Sequence, residues 1–186
     1  IAVSSASNVE IIKLKNTVLD AANTTRYTSI QVADALYFMA QAGYRTNDAV
    51  EALNGTLLLA QATNRGVEQT AELMAATFRQ FNMETSEADR IANVYAASIN
   101  RSMSSLDKLS TALKQAGPVA GAMNLSIEET VGVLDLMFDR GIQGSRAGRA
   151  LRNAFADMAN PASNLAKKLD ELGLDFSKVN LANNSL

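Results

Sequence analysis

The sequence predicts an all-α protein, a compact bundle of about eight or nine short helices that includes a candidate duplicated helical hairpin. Three observations carry that expectation. Apolar residues recur at helical spacing through almost every segment of the 186-residue chain, and no stretch alternates as a half-buried strand would. Alanine is plentiful while aromatic residues make up only 5% and tryptophan is absent, and alanine is the best helix former. Capping and breaking residues interrupt the periodic runs about every 12 to 20 residues.

Taken in chain order, helices are expected near 6–26, 28–42, 46–63, 67–82, 86–101, 105–116, 127–140, 145–159 and 161–172. Val67, Ala71, Met74, Phe78 and Phe81 advance by fours and threes, as do Leu106, Leu109, Leu113 and Ala116. The same spacing links Ile127, Val131, Leu134 and Phe138, and then Ala147, Leu151, Ala154 and Met158. Each stripe needs a neighbour to cover it. Ser126 with Glu129 reads as a capping box, and Thr46, Ser86 and Ser105 as N-caps. Gly43, Gly66 and Gly173 fall where a left-handed residue closes a helix. "AGP" at 116–118 is expected to break a helix, with a short helical turn after Pro118, and Asn160–Pro161 to start one. Met74, Met83, Met123, Met137 and Met158 read as pliant core filler.

"ALYFMAQAGYRTNDAVEAL" echoes "KLSTALKQAGPVAGAMNLSIEETVGVL": a helix, "QAG", a capped start and a second helix. The second copy carries about six extra residues before its cap. The chain begins at Ile1 and ends in "LANNSL", which reads as a piece of a longer protein, without a signal-peptide pattern. No stretch is apolar enough to cross a bilayer.

Composition excludes several chemistries. With no cysteine or histidine there is no disulfide, no Cys/His zinc site and no histidine-based triad. Neither a catalytic, a metal nor a cofactor site is expected. Seventeen basic residues against nineteen acidic ones argue against a strongly basic nucleic-acid binder.

The stretch "RGIQGSRAGRALRNAF", 140–155, looks at first like a phosphate cradle. A P-loop needs G-x-x-x-x-G-K-[ST] after a strand; here the glycine spacings are three and four, and arginine follows Gly148. We expect a packing motif instead: Gly141 ends a helix, Gly144 makes the turn, Ser145 caps the next helix and Gly148 admits a close neighbour. Arg146, Arg149 and Arg152 form one helical row, and with Arg140 they are a candidate contact for a partner or for DNA. The plainer reading is a solvated face paired with Asp135 and Asp139, which are themselves expected to be surface charges and not a glycosidase pair.

From about residue 28 to 173 the chain resembles the core region of phage tail tape measure proteins. The resemblance rests on "QVADALYFMAQAGYRTNDAVEALNGTLLLAQATN", "LSTALKQAGPVAGAMNLSIEETVGVLDLMFDRGIQGSRAGRALRNAF" and "LAKKLDELGLDF". It implies a structural, non-enzymatic phage or prophage protein that sets tail length during assembly and leaves ahead of the DNA at infection. Its place would be the tail tube lumen, and the host cytoplasm during assembly. Implied partners are tube, tail-tip or chaperone proteins and other copies of itself, without membrane contact. A tube that passes DNA gains little from gripping it, so specific nucleic-acid binding is not expected. The corresponding organisation is an N-terminal helix, 1–27, connecting to the parent protein, a core module, 28–175, and a linker, 176–186. Two other readings stay open: a helical adaptor that binds a partner helix, and a helical fragment of an enzyme with its active site elsewhere.

Overall fold

The computed structural model describes residues 8–180. Within them the chain forms α1 (Asn8–Thr24), α2 (Ser29–Gln41), α3 (Thr46–Thr63), α4 (Val67–Gln80), α5 (Ala88–Arg101), α6 (Leu106–Ala122), α7 (Ile127–Asp139), α8 (Gly144–Ala159) and α9 (Asn164–Glu171). Two 3-10 turns, Thr85–Glu87 and Phe176–Lys178, complete the described elements. The all-α expectation holds. The expected start of the first helix at residue 6, and the linker from 181 onward, lie outside the described residues.

Six of the connections are the same four-residue device. At Gly43, Asn64, Asn82, Asn124, Gly141 and Gly173 the backbone turns left-handed, with φ between 50° and 93°. Only Gly and Asn occupy these positions, the residues for which that conformation costs least. The next residue donates its N–H to the carbonyl five back: Tyr44 to Met39, Arg65 to Ala60, Met83 to Phe78, Leu125 to Ala120, Ile142 to Met137 and Leu174 to Leu169, at 2.8–3.0 Å. An extended N-cap residue follows and the next helix begins. The chain is therefore folded back repeatedly by local chemistry.

The caps themselves needed correction at several places. Ser126–Glu129 and Ser105 cap as expected. Thr46 does not: Arg45 holds the N-cap and offers no side-chain bond. Ser86 lies inside a 3-10 turn, where the Glu84 N–H donates to Glu87 instead. Gly66 is the N-cap of α4, the helix end having been closed two residues earlier by Asn64. Asn160 closes α8 and accepts the Ala162 N–H, while Ser163 caps α9, so Pro161 starts no helix.

The larger correction is Pro118, which sits inside α6. Its missing N–H forfeits one bond to the Lys114 carbonyl. The helix nevertheless continues, because Ala116, Gly117 and Ala120 on either side of the proline are buried. The proline itself points to solvent. The six extra residues of the second "QAG" copy are this continuation of α6.

Two compact units divide between Ala97 and Ser98, within α5. In the first, α2 packs chiefly on α4, and α3 packs on both. Its core holds Val32, Leu36, Met39, Leu53, Leu57, Met74 and Phe78. Tyr44 meets Phe78 edge to face, with centroids 5.8 Å apart, and donates its hydroxyl to the Ala75 carbonyl at 3.0 Å. Burial raises the Tyr44 pKa, an effect opposed by Arg79 and supported by Asp48. Buried Tyr95 lies 2.5 Å from the Thr77 hydroxyl, which itself donates to the Leu73 carbonyl, so Tyr95 is the donor. α1 lies against α2 and α3 with no fully buried residue.

In the second unit α6 packs above all on α8. Leu109, Ala112, Leu113, Ala116 and Ala120 of α6 are buried, as are Ala147, Leu151 and Phe155 of α8, with Leu134 and Phe138 supplied by α7. Met39 and Met74 are the methionines in the core; Met83, Met123, Met137 and Met158 are half-buried, and Met103 is exposed.

Candidate functional site

The region singled out in the sequence, 140–155, is the turn from α7 into α8. Gly141 follows the end of α7 at φ 81°, and Gly144 opens α8 at φ 56°. Ser145 is not the cap. Gln143 occupies that position without a side-chain bond, because the left-handed Gly144 moves the helix start one residue earlier. Gly148 is buried against α6: a β-carbon there would stand 2.8 Å from the Ala112 Cα and closer still to its carbonyl oxygen. No side chain fits that gap.

The arginines lie on the opposite side of α8. Arg140, Arg146 and Arg149 are exposed and Arg152 is half-buried. Arg152 reaches the Asn153 side chain at 3.3–3.4 Å. Among the described residues no ion pair joins any of the four to Asp135 or Asp139. Those carboxylates accept bonds elsewhere, which corrects the expected pairing with the arginines, while Asp139 is exposed and Asp135 half-buried. Ser98 donates to Asp135 at 2.5 Å and Ser102 at 3.0 Å, and the Met103 N–H donates to Asp139 at 2.8 Å. Lys108 adds a bond to the Met103 carbonyl at 2.7 Å. Two pairs spaced by four, Ser98 on α5 with Ser102 just past its end and Asp135 with Asp139 on α7, therefore fix the α5–α6 connection, which lacks a left-handed turn of its own. Matched spacing in the sequence was the available signal, but nothing local said that the pairs would meet.

Charge is distributed unevenly along the chain. Up to Ala97 there are seven Lys and Arg against ten Asp and Glu; from Ser98 on there are ten against nine. Three exposed apolar side chains accompany the arginines: Leu136 (68% exposed), Met103 (62%) and Ile142 (37%). The sequence reading missed all three, since an apolar residue in an amphipathic helix reads as core. Among the described residues no cluster of acidic side chains is arranged to hold a metal ion, and no helix is long and apolar enough to cross a membrane. In chemical terms the arrangement presents exposed cations and apolar groups on α7, α8 and the residues between and beside them.

The profile of the phage-related minor tail protein family matches residues 15–186. The chain is similar to the tape measure protein of Pneumococcus phage Dp-1, at 32% identity over 96% of this chain and 16% of that protein. It is also similar to the probable tape measure protein of Escherichia phage P2, at 28% identity over 91% of this chain and 21% of that one. A third relative, the probable tape measure protein of Clostridium phage phiCD119, is 26% identical over 66% of this chain and 14% of its own length. The chain thus spans between about a seventh and a fifth of the length of these relatives. No solved structure gave a significant match. With the family profile matched over most of its length, an all-α fold and similar regions in tape measure proteins, the chain belongs to the family of phage-related minor tail proteins.

Proposed function

We propose that this chain is a folded module of a tail tape measure protein, acting in tail assembly and in the step that fixes tail length. The observation that supports a folded module, and not a stretch of ruler, is the recurrence of the left-handed turn. The longest described helix, α3, has 18 residues, about 27 Å at the helical rise. An unbroken helix over the described residues would extend about 260 Å. Six turns with left-handed Gly or Asn work against that extension. The measuring length then comes from other parts of the parent protein, and this module initiates, anchors or releases it.

In this reading the module works in the tail tube lumen, is assembled in the host cytoplasm and leaves ahead of the DNA at infection. Its partners are tube, tail-tip or chaperone proteins, together with other copies of itself. The test is tail length by electron microscopy in phage that carry in-frame deletions or duplications within residues 28–173. A folded module gives tails of unchanged length or no tails at all. Tails that shorten or lengthen in step with the residues changed would make this segment part of the ruler.

A further inference from the structure

We infer that the α7–α8 corner of one copy docks on the α3 face of a second copy. The inference gives the proposed self-contact a surface and rests on that reading for its choice of partner. The first surface runs from Leu136 on α7 and Arg140, which directly follows that helix, through Ile142 in the turn to Arg146 and Arg149 on α8. Met103, tied to Asp139 through its backbone N–H, stands beside it. The exposed arginines find no ion-pair partner among the described residues; Asp135 and Asp139 accept instead from Ser98, Ser102 and Met103. Arginine and methionine around apolar groups are the composition of protein contacts. A surface for phosphates has no use for an exposed leucine, isoleucine and methionine.

The complementary surface is on the first unit. The outer side of α3 presents Glu51, Asn54 and Leu58 one above the other, with Leu58 49% exposed. The Thr85 hydroxyl donates to Glu51 at 2.7 Å, and Asn54 donates to Asp89 at 3.5 Å. Two carboxylates therefore share a face with one exposed leucine, as arginines accompany exposed apolar side chains on α7 and α8. The contact joins two different surfaces, so it is head to tail and repeats from copy to copy.

Sedimentation of the 186-residue chain over a range of concentrations tests it. At about 0.05 M salt the average mass rises with concentration, and about 0.5 M salt weakens the association at least about tenfold, as screening requires. Neither Arg146→Glu/Arg149→Glu nor Glu51→Lys/Asp89→Lys associates with itself, yet a mixture of the two does, since each retains the surface that the other lacks. Circular dichroism that matches the unaltered chain excludes unfolding as the cause. A chain that stays monomeric at every concentration overturns the contact and leaves the tail assignment untouched. Self-association by either variant, or a mixture that stays monomeric, also overturns it. Binding of a short DNA duplex by the unaltered chain, lost in the arginine variant and without self-association, would assign the arginines to a polyanion instead.

Discussion

The first unit ties its core together with buried tyrosine and threonine hydroxyls; the second has no tyrosine, and its main helix pair meets at a buried glycine. In the first, Tyr44 spans from a turn to the Ala75 carbonyl and Tyr95 is buried on Thr77. Thr56, Thr70 and Thr77 are also fully buried, their hydroxyls turned back to the carbonyls of Ala52, Gly66 and Leu73. In the second, α6 and α8 approach through Ala112 and Gly148 until no β-carbon would fit between them. Both solutions satisfy close packing. The two kinds of contact fail differently: a ring contact loses most when the ring is removed, whereas a backbone contact loses most when an atom is added.

The largest expected effect breaks the first unit. Phe78→Ala removes the partner of Tyr44 from the core and is expected to cost about 3–5 kcal/mol. Hydrogen exchange should then rise through α2, α3 and α4. Amides of α6 and α8 that keep their protection would show that the units unfold separately; joint loss would make them one cooperative body.

Next comes the opposite test in the second unit. Gly148→Val is expected to cost about 2–3 kcal/mol by overpacking against Ala112. Gly132, on the exposed side of α7, has open space around it. Gly132→Ala should therefore stabilise by about 0.5–1 kcal/mol through helix propensity alone. Denaturant midpoints of the two variants that moved in the same direction would sink the close-contact argument.

A smaller effect separates the hydroxyls from the rings that carry them. Tyr95→Phe leaves Thr77 its bond to Leu73 and is expected to cost about 1 kcal/mol. Burial pushes the Tyr95 pKa well above its ordinary 10.0. The folded state then keeps a proton that the unfolded state releases, so this contribution is whole below pH 10 and falls as pH rises beyond it. Thermal melts from pH 9 to 11 should show a steeper alkaline loss in the unaltered chain than in Tyr95→Phe.

The smallest changes are at the caps. Ser126→Ala removes a reciprocal pair of bonds at the start of α7 and should cost about 1 kcal/mol. Gln143→Asp would supply the missing cap of α8 and should gain about 0.5–1 kcal/mol, since a negative charge there also suits the helix dipole. Equal and negligible shifts in melting temperature would mean that packing alone positions these helix ends.

Legibility in the sequence followed the range of the interaction. The helices were read from spacing, and Gly43, Gly141 and Gly173 from position. Asn64, Asn82 and Asn124 do the same work but were passed over, because asparagine also reads as an ordinary polar surface residue. Pro118 was misread since the local penalty is visible in sequence and the burial that outweighs it is not. For the candidate surface, the arginine row was legible as a row. Its lack of acidic partners was not, because Asp135 and Asp139 look free until Ser98, Ser102 and Met103 arrive from α5 and the connection after it.

By itself, then, the sequence determined where this chain is helical, where it turns back and which chemistries it lacks. Those outcomes depend on atoms within about four residues of each other, and such atoms are neighbours in any fold. Tertiary structure alone decided that α6 runs through its proline, that Gly148 faces a backbone, that two serines occupy Asp135 and that Leu136 stays in water. Gly148 meets Ala112 and Asp135 meets Ser98, each pair more than 15 positions apart in the chain and brought together only when the helices pack.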